Sequence, residues 1–116
     1  MFSLEVVDTD RFLDMPASTQ ALYFHLGMRA DDDGFVAAPR KIIAMCNCSA
    51  DDLRILISKN YVIPFKSGVC VVTDWLKNNF LRSDRRKPTQ YQDELNLLNV
   101  ADKTYHVNEE KSDTLV

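Results

Sequence analysis

Lys77, Arg82, Arg85, Arg86 and Lys87 form a basic run interleaved with Asn79 and Phe80. Guanidinium forks pair with phosphate oxygens, and each phosphate neutralised releases counterions, so the chemistry suited to this run is contact with a nucleic-acid backbone. The competing reading is a solvated surface, since basic runs alone are common. Asp84, among the arginines, is suited to orienting one of them.

Other clusters invite different chemistry. Asp31-Asp32-Asp33-Gly34 has the carboxylates of a metal site but not the spacing: a calcium loop alternates its ligands, whereas consecutive aspartates point in divergent directions. A helix-end turn is the expectation, with no metal. His25 falls mid-helix among apolar neighbours and His106 in a polar stretch. There is no Gly-rich phosphate loop, no H-E-x-x-H and no evident nucleophile beside a base, so neither catalysis nor a cofactor is expected. Cys46, Cys48 and Cys70 match no common disulfide or zinc framework and read as reduced small hydrophobes.

At 116 residues, 46% hydrophobic and 27% charged, the chain fits one globular domain. No apolar run approaches the roughly 20 residues needed to cross a bilayer, and "MFSLEVVDTD" carries acids where a signal peptide has cations. A cytoplasmic protein without a membrane partner is expected. The net charge of −3 is unevenly spread: −5 over residues 1–34, +2 over 35–76, +4 over 77–88 and −4 over 89–116. Local potential matters more to a polyanion than this average does.

These residues must be positioned by elements that the pattern also predicts. Residues 1–16 form an N-terminal extension, a strand and then one helical turn capped by Asp8 ahead of Phe12, Leu13 and Met15, stopped by Pro16. Ser18 caps a helix to about Asp31, with Leu22, Tyr23 and Leu26 at helical spacing. Phe35-Val36-Ala37 allows only a short strand. Pro39 opens a second helix, Arg40 to Cys46, with Ile42, Ile43 and Met45 or Cys46 inward. Ser49 and Asp52 make a capping box for a third helix from Ala50, whose buried stripe is Leu53, Leu56 and Ile57. Residues 61–65 and 69–73 then flank Lys66-Ser67-Gly68 as a hairpin, with Pro64 confining its strand to an edge. The second strand ends on Trp75, the single tryptophan.

Helix, short strand, helix, tight turn, helix, hairpin is the order of a winged helix-turn-helix. The fold class expected is α+β, mainly α: a three-helix core and a small antiparallel sheet over residues 17–76, with N- and C-terminal extensions. Residues 77–100 are expected as the basic post-wing segment and an amphipathic helix, and 101–116 as a polar tail or linker. "VVDTDRFLDMPASTQALYFHLGMRADDDGFV", "SADDLRILISKNYVIPFKSGVCVVTDW" and "NNFLRSDRRKPTQYQDE" together resemble the N-terminal domain of replisome organiser, or replication initiation, proteins of bacteriophages and prophages of low-GC Gram-positive bacteria, and the layout is similar to that of DnaD-like primosome proteins. The resemblance implies a winged helix that binds phage origin DNA or self-associates, joined in full-length members to a further domain that engages the helicase loader or helicase.

In such a domain Lys66 is the contact from the wing tip. Arg40 and Lys41 lie where the second helix crosses phosphates, and Arg54, Ser58 and Lys59 face the groove. The third helix is a poor groove reader in one respect, because Asp51 and Asp52 in its first turn repel phosphate while stabilising the helix N-terminus by about 0.3–1 kcal/mol each. The alternative function is a protein–protein oligomerisation module of a primosome-type complex with little DNA affinity. Homo-oligomerisation is expected either way, because residues 2–15 and 90–100 carry more apolar side chains than a winged helix needs.

Overall fold

In the computed structural model, which describes residues 2–78 and 87–108, the N-terminus winds into two single helical turns, α1 (Leu4–Val7) and α2 (Asp10–Leu13). The expected strand is absent because local capping is stronger than the weak alternation: the Ser3 hydroxyl accepts from the Glu5 N–H, and Thr9, not Asp8, accepts from the Phe12 N–H. The segment wraps α3 (Ala17–Met28). Phe2 meets Phe24 edge-on at 4.8 Å and Phe12 meets Tyr23 and Tyr61 at 5.2 and 5.5 Å, arrangements that suit the ring quadrupoles. Val6, Phe12 and Met15 are buried within the chain itself, so most of the apolar surplus expected to bind another copy is consumed internally. Leu4 and Leu13 stay outside, 72% and 53% exposed.

After α3 come β1 (Phe35–Val36), α4 (Pro39–Met45), α5 (Ala50–Ser58), β2 (Val62–Pro64) and β3 (Cys70–Val72). The three strands form an antiparallel sheet in the order β1-β3-β2, which puts Pro64 on an edge as its missing N–H requires. The backbone reverses between β2 and β3 through Gly68 at φ +91°. Residues paired across the ladder share a face, so Phe35, Val71 and Ile63 lie on one side and Val36, Cys70 and Pro64 on the other. The Val36 side meets Ile42 of α4. Leu22, Leu26, Leu56, Val62 and Val72 are all at most 1% exposed, each worth about 1.5–3 kcal/mol in removal of apolar surface from water.

The Phe35 side has its own cover. Trp75 opens a single turn, α6 (Trp75–Asn78), and from Lys87 the described chain returns as α7 (Gln92–Leu95), β4 (Leu98–Ala101) and β5 (Thr104–Val107). The Phe35 ring stacks on Phe65 at 6.0 Å and lies 6.1 and 6.4 Å from Tyr91 and Tyr105. This corrects the expected helix over 90–100: only one helical turn forms, and Leu98 starts a strand. Nor is the stretch after residue 100 a polar tail as far as Asn108, since Tyr105 is 2% exposed and its hydroxyl donates to the Asp33 carbonyl at 2.8 Å. The Leu95–Leu98 spacing fits a helix, but the open apolar face of the sheet rewards a hairpin, turned at Asp102 and Lys103 with φ 53° and 60°.

Asp52 ties the first and third long helices together. The Ser18 and Thr19 hydroxyls donate to its Oδ1 at 2.8 and 2.7 Å, while Oδ2 accepts from the Ser49 N–H at 3.0 Å. The capping box forms as expected, but Ser18 serves this bond and not the start of α3, which begins at Ala17 after Pro16 and ends at Met28. Burial pushes the Asp52 carboxyl up, and the bonds from Ser49, Thr19 and Ser18 outweigh it and hold the group below the usual aspartate range. A depressed folded value means that the stabilisation is complete above the unfolded value and is lost as pH falls through the folded one. Asp52→Asn, which turns an amide N–H toward a donor, should cost about 2 kcal/mol at neutral pH. The gap from wild type in urea unfolding should narrow below about pH 4; a pH-independent gap would contradict this role.

Candidate nucleic-acid interface

The acidic turn, whose spacing does not suit a metal, is a hydrogen-bonding anchor. The Asp31 Oδ1 accepts from the N–H groups of Asp33 and Phe35 at 2.9 and 3.0 Å, closing the turn on itself, while its Oδ2 accepts from the Thr89 hydroxyl. Asp32 accepts from the Lys87 N–H and Asp33 from the Thr89 N–H, each at 2.8 Å. Gly34 sits at φ +90°, and a Cβ there would fall 2.5 Å from Cγ of Trp75. Without that Cβ the indole packs closely on the turn and donates to the Asp32 carbonyl at 2.9 Å. The turn thus fixes where the chain leaves β3 and where it returns at Lys87.

The candidate contact residues occupy several separate surroundings. Arg40 and Lys41 are exposed on the first turn of α4, as the docking of a second helix on phosphates requires. On α5, Arg54 is exposed but its guanidinium pairs with Asp51, and the Ser58 hydroxyl donates back to the Ile55 carbonyl at 3.0 Å. Lys59 is half-buried at the end of that helix. Lys66 is exposed at the hairpin tip, yet it shares a depression with Asp93 and Glu94, and the adjoining Ser67 hydroxyl donates to Glu94 Oε2 at 3.0 Å. Lys77 is turned toward acids: its Nζ is 3.9 Å from Glu5 Oε1, in a hollow that also holds Asp74. Arg82, Arg85 and Arg86 lie outside the described residues.

Lys87 is brought to a place that the sequence does not suggest. It lines a groove of about 470 Å³ with Arg29, Asp31, Asp32, Phe35 and Tyr91. A second depression, lined by Arg29, Ala37, Lys41, Ile42 and Met45, adjoins it through Arg29 and Ala37. Arg29, Lys41 and Lys87 therefore border one continuous surface at the β1 edge. No sequence signal singles out Arg29, because it sits in the acidic N-terminal third and only folding carries it to Lys41. Its guanidinium is exposed and donates to the His25 carbonyl at 3.1 Å, which holds it along the end of α3.

Burial pushes the Cys70 thiol up to about 12, and Cys48 is also raised, by burial and then by Asp52 and Cys46. Among the described residues no group of three or more His, Cys, Asp or Glu could hold a metal ion, and no helix is long and apolar enough to cross a membrane. Comparison of the chain with models of known families, with curated proteins and with solved structures gives no match.

The anchor makes a direct prediction. Gly34→Ala introduces strain at positive φ and a clash with Trp75, and should cost about 3 kcal/mol. Because Trp75 is the single tryptophan, its emission should move to the red in the folded variant as the indole leaves its seat. Unchanged emission and an unchanged melting temperature would show that the turn does not position it.

Proposed function

We propose that the chain is a DNA-binding and assembly domain of winged-helix type, serving phage or prophage replication initiation. The observation that carries the reading is topological: α3, β1, α4, α5, β2 and β3 follow in that order, with strands arranged β1-β3-β2. In that arrangement α4 and α5 are the helix-turn-helix, and the reversal at Lys66 is the wing. The exposed Arg40 and Lys41 on α4, and the return of the basic run beside them at Lys87, support contact with phosphates. The replication role rests on the sequence resemblance, and a helicase or its loader would be met through a further domain.

A second reading, self-assembly with little DNA affinity, is favoured by exposed Leu4 and Leu13 beside Glu5, Asp8, Asp10 and Asp14. The two readings are separated by fluorescence anisotropy on duplexes together with the molar mass in solution. Replacing Arg82, Arg85 and Arg86 with alanine should weaken binding to all DNA sequences about equally and lower the salt slope by roughly 0.9 for each phosphate that is no longer neutralised. Unchanged affinity and slope, with the melting temperature preserved, would remove the DNA role of this segment and leave assembly.

A further inference from the structure

The hairpin tip and the β1 edge differ in electrostatic character. At the hairpin tip the cation of Lys66 lies in a depression of about 280 Å³ with the carboxylates of Asp93 and Glu94, a local excess of negative charge. Glu94 is held there from two sides: Ser67 donates to it, and its turn is anchored by Gln92 Nε2 donating to the Thr89 carbonyl at 2.7 Å and by Leu95 and Leu97 packing on the core. At the β1 edge the balance reverses. Arg29, Lys41 and Lys87 face Asp31 and Asp32, and those two carboxylates already accept from Asp33, Phe35, Thr89 and Lys87. Arg40 adds a further exposed cation next to Lys41.

From this asymmetry we infer that Asp93 and Glu94 determine the orientation of bound duplex, keeping phosphates off the wing tip and leaving them to Arg29, Lys41 and Lys87 at the β1 edge. The inference rests on the DNA-binding reading and assigns Arg29, Asp93 and Glu94 roles in it. Like charges suppress a wrong docking mode as effectively as favourable pairs support the right one. The domain would take DNA along the α4 side, with the hairpin tip outside the footprint.

The test compares Lys66→Ala, Lys41→Ala, Arg29→Ala and the double variant Asp93→Asn/Glu94→Gln by anisotropy on one duplex over a salt series. Gln at 94 keeps an acceptor for Ser67, so the hairpin tip retains its brace. Lys66→Ala should leave affinity and salt slope unchanged, whereas Lys41→Ala and Arg29→Ala should each lower the slope by roughly 0.9. Neutralising both acids should admit Lys66 to the footprint, raising the slope by roughly 0.9 and the affinity about ten-fold at low salt. Weakening of binding in Lys66→Ala equal to that in Lys41→Ala would overturn the inference while leaving the DNA-binding reading intact. So would an unaltered slope in the neutralised variant. Failure of the wild type to bind any duplex at low salt would remove the reading and the inference together.

Discussion

The Asp31–Gly34 turn is the constraint on which the rest of this structure depends. Three carboxylates and a glycine at positive φ let one short loop accept hydrogen bonds from both directions of the chain, from Trp75 on the way out of the sheet and from Lys87 and Thr89 on the way back. Charged acceptors make stronger bonds than neutral ones, and here the donors are mainly backbone N–H groups, which have little freedom to find other partners. Adjacent acids of like charge are tolerated because each has a different donor. Asp31 and Asp33 both accept from Thr89, through its hydroxyl and its N–H, while Asp32 accepts from the Lys87 N–H.

That anchor decides how the small sheet is covered. A three-stranded sheet with apolar residues on both faces is not stable with one face wet, and α3, α4 and α5 cover only the Val36 side. Returning at Lys87 sends the chain over the Phe35 side, where Tyr91, Leu98 and Tyr105 complete a second apolar layer. Asp52 plays the matching role between the helices, joining the start of α3 to the start of α5 through hydroxyl donors. Both ties use a carboxylate whose bonds span more than thirty residues, so neither has value until the chain has folded.

The electrostatic pattern follows from the same route. Because the return path runs past the hairpin tip, Asp93 and Glu94 are delivered to Lys66, while Lys87 is delivered to Arg29 and Lys41. A chain that is acidic overall thus carries a positive border at the β1 edge of its sheet and a negative one at the hairpin tip. Potential of this kind guides the approach and orientation of a polyanion more than it sets raw affinity.

The sequence by itself determined the local elements where one strong signal governed each: Ser49 and Asp52 as a capping box, Pro39 opening α4, the Lys66–Gly68 reversal, and Pro64 on an edge. It also identified which side chains are cations, but not their neighbours. Lys77 and Lys87 are ten residues apart, one near Glu5 and the other lining a groove with Arg29, because the return of the chain at Lys87 and Thr89 is fixed by hydrogen bonds to Asp32 and Asp33 that no periodicity encodes. Residues 90–100 fit a helical spacing, and only the exposed Phe35 face made a strand the better use of Leu98. Short segments carry too little intrinsic preference to resist such a surface, so their form, and with it the position of every charge attached to them, was decided by tertiary packing.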